Sequence, residues 1–420
     1  MTERKIRMTK KCHRSIKALF APALALVLCL CSMTTAFAAP GPITGTEAGP
    51  AQAVITKALQ MPEGTVTPAE TFTFAFAKKD VDGDNSTAAQ GTMPTITGKT
   101  VTFAASDTGT AAAGVKTVTG ETASLFAGVT WPHAGVYTYT VTETAGSSAG
   151  MTYSQASYDI SVYVANGSTS GSLYVAGIGT NIVTTDTGTA GIGKTDPTTS
   201  TTVTGASSAM MFTNIYIETP TGVDPAADDM LSISKTVDGA YGDRTRYFPF
   251  SVTLNKAELV TGTPSYKAYV MEGTTVATTT ANYATLSTDP VYGAYIDVTA
   301  GTPVTINLKH GQWLSFVGMP VGTTYSVTET GVADYTPSVS VVTDGGAAAV
   351  TNGTQGTALT VGSPTAIVLG ANANSAAFTN TYKTVTPTGI ALDNLPFIMI
   401  IVLAMGAFAA FIVVRSRRRA

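Results

Sequence analysis

Two sets of three polar residues stand out in this sequence because each member lies in an alternating stretch, on the same side as its apolar neighbours. Each set holds a lysine, a glutamate and an asparagine in that order: Lys57, Glu143 and Asn214, then Lys235, Glu329 and Asn380. Side chains of a β-strand point alternately to its two faces, so this spacing directs all six toward a predicted core. Burying such groups separately costs several kcal/mol each. We therefore expect the three members of each set to meet.

Three such groups in one core could react with one another. Desolvation lowers the pKa of a lysine and raises the pKa of a glutamic acid. A neutral amine is a nucleophile, and a protonated carboxyl can polarise an amide carbonyl and shuttle a proton. Placed against an asparagine amide, the lysine could displace ammonia and form an isopeptide bond without a cofactor. Spacing and strand phase alone reach only a buried polar triad, and the alternative is a set of polar residues on edge strands near the domain ends.

The elements that would position these groups have the pattern of β-strands. Apolar and polar residues alternate over short segments that Gly, Asn and Asp interrupt. Examples are residues 71–77, 136–143, 158–164, 247–254, 292–298 and 324–329. Charged residues make up only 12% of the chain, which is poor for a helical protein, and no segment has convincing amphipathic helical periodicity. The sequence predicts an all-β protein of two tandem immunoglobulin-like β-sandwiches, with helix only at the two ends and in short turns.

A weak internal repeat predicts the domain boundaries. Residues 55–57 recur as 233–235, residues 139–144 as 325–330, and residues 212–216 as 378–382. Because both copies keep the order Lys, Glu, Asn, we expect one sandwich over residues 51–218 and a second over 229–384. Residues 39–50 would form a short stalk, and residues 219–228 a linker whose Pro-Thr-Gly we interpret as a turn, since no apolar span follows it.

The N-terminal 38 residues have the pattern of a secretory signal peptide. A basic segment precedes the apolar run 18–31, and Ala36, Phe37 and Ala38 form an A-x-A cleavage pattern. The alternative is an uncleaved membrane anchor. All three cysteines of the chain lie in this segment, so the exported chain would have no disulfide.

The C-terminal segment 385–420 combines three features in a fixed order. Pro387, Thr388 and Gly389 come first, residues 395–414 then carry no charge, and Arg415 and Arg417–Arg419 follow. The apolar run would span roughly 30 Å as a helix, about one bilayer core. This arrangement resembles the cell-wall sorting signal of Gram-positive bacteria, although the leucine of the usual L-P-x-T-G motif is missing. The resemblance implies that a sortase cuts between Thr388 and Gly389; the alternative is a permanent single-pass anchor.

Taken together, the sandwiches and the sorting signal resemble the major pilins and pilin isopeptide-linker domains of Gram-positive bacteria. There, an early-strand lysine, a glutamate in a Y-x-V-x-E-T box and an asparagine in a final F-x-N-x-Y strand form isopeptide bonds. The resemblance implies a Lys57–Asn214 bond with Glu143 as catalyst, and a Lys235–Asn380 bond with Glu329. Polymerisation would need a surface lysine that attacks Thr388 of the next subunit. Lys194 is the candidate, and Lys78 and Lys79 are weaker competitors.

Composition and motifs exclude other classes of function. Between its basic ends the chain is acidic, which argues against nucleic acid as a partner. The exported chain would hold only two histidines, His133 and His310, and no cysteine nucleophile, which argues against an enzyme. Residues Asp80–Asp84 resemble part of a calcium loop, but the glutamate that should close such a loop is missing, which favours an acidic hairpin turn. We expect no enzyme, cofactor or metal, but a secreted, wall-attached pilus backbone subunit. Its expected partners are sortase and neighbouring subunits or peptidoglycan. The alternative is a monomeric sortase-anchored adhesin or stalk that binds a host or environmental ligand.

Overall fold

The computed structural model describes residues 42–191, 193–219, 222–228, 230–363, 365–383 and 395–417. The predicted signal peptide, the start of the predicted stalk, and the sorting motif around Thr388 and Gly389 lie outside these residues.

The first half of the described chain is built from twelve strands and one short helix. The strands are β1 (Ile43–Thr44), β2 (Gln52–Pro62), β3 (Glu70–Val81), β4 (Lys99–Phe103), β5 (Thr110–Ala112), β6 (Val115–Glu121), β7 (Gly135–Glu143), β8 (Met151–Thr152), β9 (Ser157–Asn166), β10 (Leu173–Thr184), β11 (Thr198–Thr199) and β12 (Ala206–Tyr216). The helix α1 (Thr87–Thr92) begins after Ser86, whose hydroxyl accepts a hydrogen bond from the Ala89 N–H.

Two sheets enclose the core of this half. One has the strand order β1-β10-β9-β7-β3-β4, and the other has the order β11-β12-β2-β6-β5, with β8 also paired to β12. Strands β2 and β12 are parallel neighbours, although one comes first and the other last in their sheet along the chain. Their apolar side chains pack against those of the facing sheet, with Ile55, Phe72, Tyr139 and Phe212 fully buried.

The second half of the described chain has fourteen strands. They are β13 (Leu231–Asp238), β14 (Phe248–Asn255), β15 (Ser265–Glu272), β16 (Thr275–Val276), β17 (Ser287–Asp289), β18 (Gly293–Thr299), β19 (Val304–Leu308), β20 (Gln312–Val317), β21 (Thr324–Glu329), β22 (Tyr335–Val342), β23 (Ala349–Asn352), β24 (Leu359–Val361), β25 (Ile367–Val368) and β26 (Ser375–Tyr382).

These strands again form two sheets, and the first and last strands are again parallel neighbours. The larger sheet has the order β17-β18-β15-β20-β13-β26-β22-β23, with β16 beside β15, and the smaller has the order β19-β14-β21-β24, with β25 beside β21. Strand β13 runs parallel to β26. A separate hydrophobic cluster fills the space between these sheets. The two clusters support the predicted division into two sandwiches, which we retain as a proposal.

The prediction of an all-β chain with a C-terminal apolar helix is confirmed. Apart from the single turn of α1, the described residues form one helix, α2 (Leu395–Arg417). Residues 396–416 of α2 have a mean hydropathy of 3.0 and are long and apolar enough to cross a membrane.

The acidic segment after β3 is a tight turn. Asp82 and Gly83 both have positive φ, at 53° and 85°, between the bridged residues Val81 and Asp84. The Asp82 carboxylate accepts a hydrogen bond from the Val136 N–H at 2.7 Å, and Asp80 accepts one from Gly83 N–H at 3.2 Å. These carboxylates therefore stabilise the backbone of the turn.

Candidate functional site

The first triad is assembled from both sheets of the first half. Lys57 lies on β2 opposite Phe212 of β12, so Asn214, two residues further along β12, points to the same face. Glu143 is the last residue of β7 in the facing sheet. The lysine and the asparagine thus come from neighbouring parallel strands, and the glutamate reaches them across the core.

Within this triad the glutamate touches both partners. Lys57 Nζ lies 3.1 Å from Glu143 Oε2, and Asn214 Nδ2 donates a hydrogen bond to Glu143 Oε1 at 2.6 Å. Lys57 also donates to the Phe212 carbonyl oxygen at 3.1 Å, and Asn214 Oδ1 accepts from the Ser154 N–H at 2.8 Å. Lys57 and Asn214 have no exposed surface. The amine, the carboxyl and the amide are therefore in mutual contact away from solvent.

The second triad repeats this arrangement. Lys235 on β13 is opposite Phe378 of β26, again two residues before Asn380, and Glu329 ends β21 of the facing sheet. Lys235 Nζ lies 2.6 Å from Glu329 Oε1, and the same oxygen accepts a hydrogen bond from Asn380 Nδ2 at 2.8 Å. All three residues are at most 2% exposed. The structure therefore brings together every member of both predicted triads, while formation of a bond remains a prediction.

Each lysine also lies over an aromatic ring that the sequence analysis missed. Lys57 Nζ is 4.7 Å from the Phe72 ring centroid, and Lys235 Nζ is 4.4 Å from that of Phe248. The two rings occupy equivalent positions. Phe74, two residues after Phe72, pairs with Glu143, and Phe250, two residues after Phe248, pairs with Glu329. The alternating pattern of residues 71–77 contained this signal, since it places Phe72 on the core face. The rings keep water from the amine.

Burial sets the charge state of both lysines. Desolvation lowers the pKa of Lys57 to about 8 even though the neighbouring Glu143 acts in the opposite direction. The same balance, with Glu329 as the opposing partner, lowers the pKa of Lys235 to about 8. Burial also raises the pKa of Glu329, against the effect of Lys235. The lowered pKa of each lysine favours the neutral amine, and the raised pKa of Glu329 favours the protonated acid in the second triad. A neutral amine with a protonated acid is the combination that attack on an amide requires.

A lysine, a glutamate and a glutamine form a similar but more solvent-accessible group, which provides an internal comparison. Glu272 Oε1 lies 2.9 Å from Lys309 Nζ and accepts a hydrogen bond from Gln312 Nε2 at 3.2 Å. The Lys309 and Glu272 side chains are 33% and 46% exposed. Here the hydrogen-bonded ion pair raises the pKa of Lys309 and lowers that of Glu272. This group is therefore held in its charged form, and the lysine is a poor nucleophile.

The three lysines considered for subunit linkage lie apart from the triads. Lys194 is exposed, and its backbone forms an isolated antiparallel β-bridge with Asn181 of β10. It lines an open groove of about 400 Å³ together with Lys79, Asp159 and Tyr163. Lys79 is paired with Asp159 at 2.5 Å, and Lys78 is half-buried on β3. Within the described residues, no cluster of His, Cys, Asp and Glu could hold a metal ion.

Family models match both halves of the chain. Residues 229–382 match a domain of unknown function, DUF7601. Residues 53–217 match the Spy0128-like isopeptide containing domain. The predicted resemblance to Gram-positive pilins is thereby confirmed.

The chain is also similar to individual proteins. The pilus tip adhesin Cpa of Streptococcus pyogenes is 31% identical over 110 residues, which is 26% of this chain and 13% of the adhesin. The major pilin of Streptococcus pyogenes covers 80% of this chain and 99% of its own, with 20% identity and a TM-score of 0.31. The T-13 major pilin of that organism covers 82% of this chain and 100% of its own, with 19% identity and a TM-score of 0.30.

Proposed function

We propose that this chain is a structural pilus subunit whose two sandwiches are each closed by an autocatalytic Lys–Asn isopeptide bond. The observation that carries the proposal is the pair of buried triads, Lys57–Glu143–Asn214 and Lys235–Glu329–Asn380, in which one carboxyl contacts both the amine and the amide. The match of residues 53–217 to the Spy0128-like isopeptide containing domain supports the same chemistry for the first bond.

The reaction is an acyl substitution that needs only these three groups. The neutral Lys57 Nζ attacks Asn214 Cγ and forms a new C–N bond. The Glu143 carboxyl takes a proton from the attacking amine and delivers one to Asn214 Nδ2. The Cγ–Nδ2 bond then breaks and one ammonia leaves, so Glu143 is regenerated and no cofactor is consumed. The second triad would react in the same way.

The bond would take the structural place of a disulfide. Each bond would join the strands that come first and last along the chain in one sheet, since β2 neighbours β12 and β13 neighbours β26. Closing a loop of roughly 150 residues is worth about 5 kcal/mol through the unfolded state. An exported chain without cysteines would gain its covalent constraint in this way.

Intact mass tests this proposal directly. We expect the folded protein to be lighter than its sequence mass by about 17 Da per bond, the mass of the ammonia that leaves in the substitution. Peptide mapping should find the lysine–asparagine links at both buried triads. Lys309, Glu272 and Gln312, whose lysine and glutamate are open to solvent, serve as the control, where no link should form. A native protein at its full sequence mass would contradict the proposal.

Surface attachment is proposed from the C-terminal segment. We infer that sortase cleaves Thr388–Gly389 after α2 has held the chain in the membrane, and that Lys194 of another subunit accepts the Thr388 acyl group. Support for Lys194 comes from its exposure and its position in the groove beside Tyr163. Lys79 lines the same groove, but its amine is engaged in an ion pair with Asp159.

Wall extracts separate polymerisation from single anchoring. We expect the native chain to give an SDS-resistant ladder, Lys194→Ala to abolish it, and the control Lys79→Ala to retain it. A single anchored band from the native chain would instead favour a monomeric adhesin, the alternative that the match to a pilus tip adhesin supports. A ladder that survives Lys194→Ala would show that another lysine links the subunits.

A further inference from the structure

The two triads differ in what holds the asparagine carbonyl oxygen. Asn214 Oδ1 accepts a hydrogen bond from the Ser154 N–H at 2.8 Å. Asn380 Oδ1 is buried and has no hydrogen-bond partner in the part of the chain that the structure describes. Ser154 is a buried residue of the loop between β8 and β9 and belongs to neither the lysine strand nor the asparagine strand. The first site therefore contains a fourth group that the second lacks.

Asp186, in the loop after β10, fixes the position of this donor. The Ser154 hydroxyl donates to Asp186 Oδ1 at 2.5 Å, and the Gln155 N–H donates to the Asp186 carbonyl oxygen at 3.0 Å. The same Asp186 Oδ1 accepts from the Thr213 N–H at 2.9 Å, directly beside Asn214 on β12. One carboxylate thus ties the Ser154 loop to the strand that carries the reacting amide.

The Ser154 N–H also determines which way the amide faces. A backbone N–H can only donate, so it must meet the oxygen of the asparagine amide and not its nitrogen. Asn214 Nδ2, the leaving group, is then directed at Glu143. When Lys57 Nζ bonds to Asn214 Cγ, negative charge develops on Oδ1, and it disappears again when the Cγ–Nδ2 bond breaks and ammonia leaves. A preorganised N–H aimed at that oxygen stabilises the intermediate.

We propose that the Ser154 N–H is an oxyanion donor for the first isopeptide bond, that Asp186 is its positioning residue, and that the first bond consequently forms faster than the second. This inference rests on the proposed function, since it concerns the same reaction. The Ser154 N–H only donates a hydrogen bond in this reaction and transfers no proton. The second site must rely on Glu329 alone to polarise its amide.

Timed bond formation tests the proposal on the full chain. The protein is synthesised in a cell-free system with lipid nanodiscs, quenched in acid at intervals and digested, and mass spectrometry measures linked and unlinked peptides of both sites. Loss of one oxyanion donor costs about 10²–10³-fold in rate, so the first site should lead the second by at least about tenfold. Equal rates at the two sites of the native chain would overturn the inference and leave the proposed function intact. Absence of both bonds would overturn both.

Two substitutions isolate the N–H group. Ser154→Pro removes the donor and should slow the first bond by about 10²-fold or more, while the second bond serves as an unchanged internal clock. Ser154→Ala keeps the N–H but loses the hydroxyl that contacts Asp186, so it should slow the first bond far less than Ser154→Pro does. A misfolding effect is tested by adding Ser154→Pro to the unreactive Lys57→Ala chain, whose thermal unfolding should remain a single cooperative transition, lowered only by the loss of one buried hydrogen bond. A first-site rate that is unaffected by Ser154→Pro would also overturn the inference.

Discussion

Glu143→Ala is expected to leave Lys57 and Asn214 unlinked, so the protein should regain about 17 Da and lose much of its stability. The reason is that Glu143 is the group that contacts both the amine and the amide. Losing about 5 kcal/mol of loop closure corresponds to a fall of about 10–20 °C in the unfolding temperature of a domain of this size. Glu329→Ala should do the same in the second half. Intact mass and calorimetry measure the two effects.

Two controls separate the bond from the buried charge. Asn214→Ala removes the amide but keeps Lys57 beside Glu143, so its loss of stability reports the missing bond without an unpaired buried amine. Glu272→Ala removes an exposed glutamate that contacts Lys309 and the amide of the buried Gln312. It should leave the mass deficit unchanged and shift the unfolding temperature by no more than a few degrees. A Glu143→Ala chain that still lacks about 17 Da would show that the bond forms without its proposed catalyst.

The rate of the second bond should be flat near neutral pH and fall above about pH 8. The reactive neutral pair, Lys235 amine with Glu329 acid, holds the same number of protons as the ion pair, so interconverting them requires no change in pH. The pair of Lys235 and Glu329 then holds one proton between them. Raising the pH above the lowered Lys235 pKa of about 8 removes this proton, so that Glu329 can no longer act as the acid. Bond formation should then slow by about tenfold per pH unit.

At acidic pH the rate should fall as well, because Glu329 takes up a proton while Lys235 keeps its own. The raised pKa of Glu329 moves this decrease toward neutral pH. The experiment starts from unlinked chain that has been held unfolded in guanidinium. The chain is diluted into buffers of graded pH, and mass spectrometry measures how much of the link has formed. Fluorescence measures folding separately at each pH. An ordinary amine nucleophile would react faster with every unit up to its own pKa of about 10.4, so a rate that keeps rising above pH 8 would exclude the proton-sharing pair.

The sequence allowed the six triad residues to be predicted because strand alternation has a period of two. A lysine such as Lys57, flanked by Ile55 and Leu59, can be assigned to the core face without knowing its neighbours. Phe72 and Phe248 were within reach of the same argument. The same argument could not predict which strands are adjacent, because the parallel pairing of β2 with β12 depends on contacts about 150 residues apart along the chain.

Ser154 and Asp186 could not have been found from a pattern. Both lie in loops, where no periodicity relates a residue to a face, and their roles come from one backbone N–H and one carboxylate that only the folded chain brings together. Lys194 remains a prediction for a related reason. Its exposure is visible in the structure, but its proposed reaction partner, Thr388, lies outside the described residues.

The parallel pairing of first and last strands determines how each half would respond to pulling. The chain enters β2 and leaves β12 at opposite ends of the sheet, so tension applied at the termini slides the strands past each other in shear, and the ladder bonds between them resist together. A Lys57–Asn214 bond would lie across that sliding plane and carry the load from β2 to β12. Residues 58–213 would then carry no load, and neither would residues 236–379 in the second half. Under load, a fibre of such subunits would lengthen only through the short segments outside the bonds, and the loops inside them could change length without weakening it.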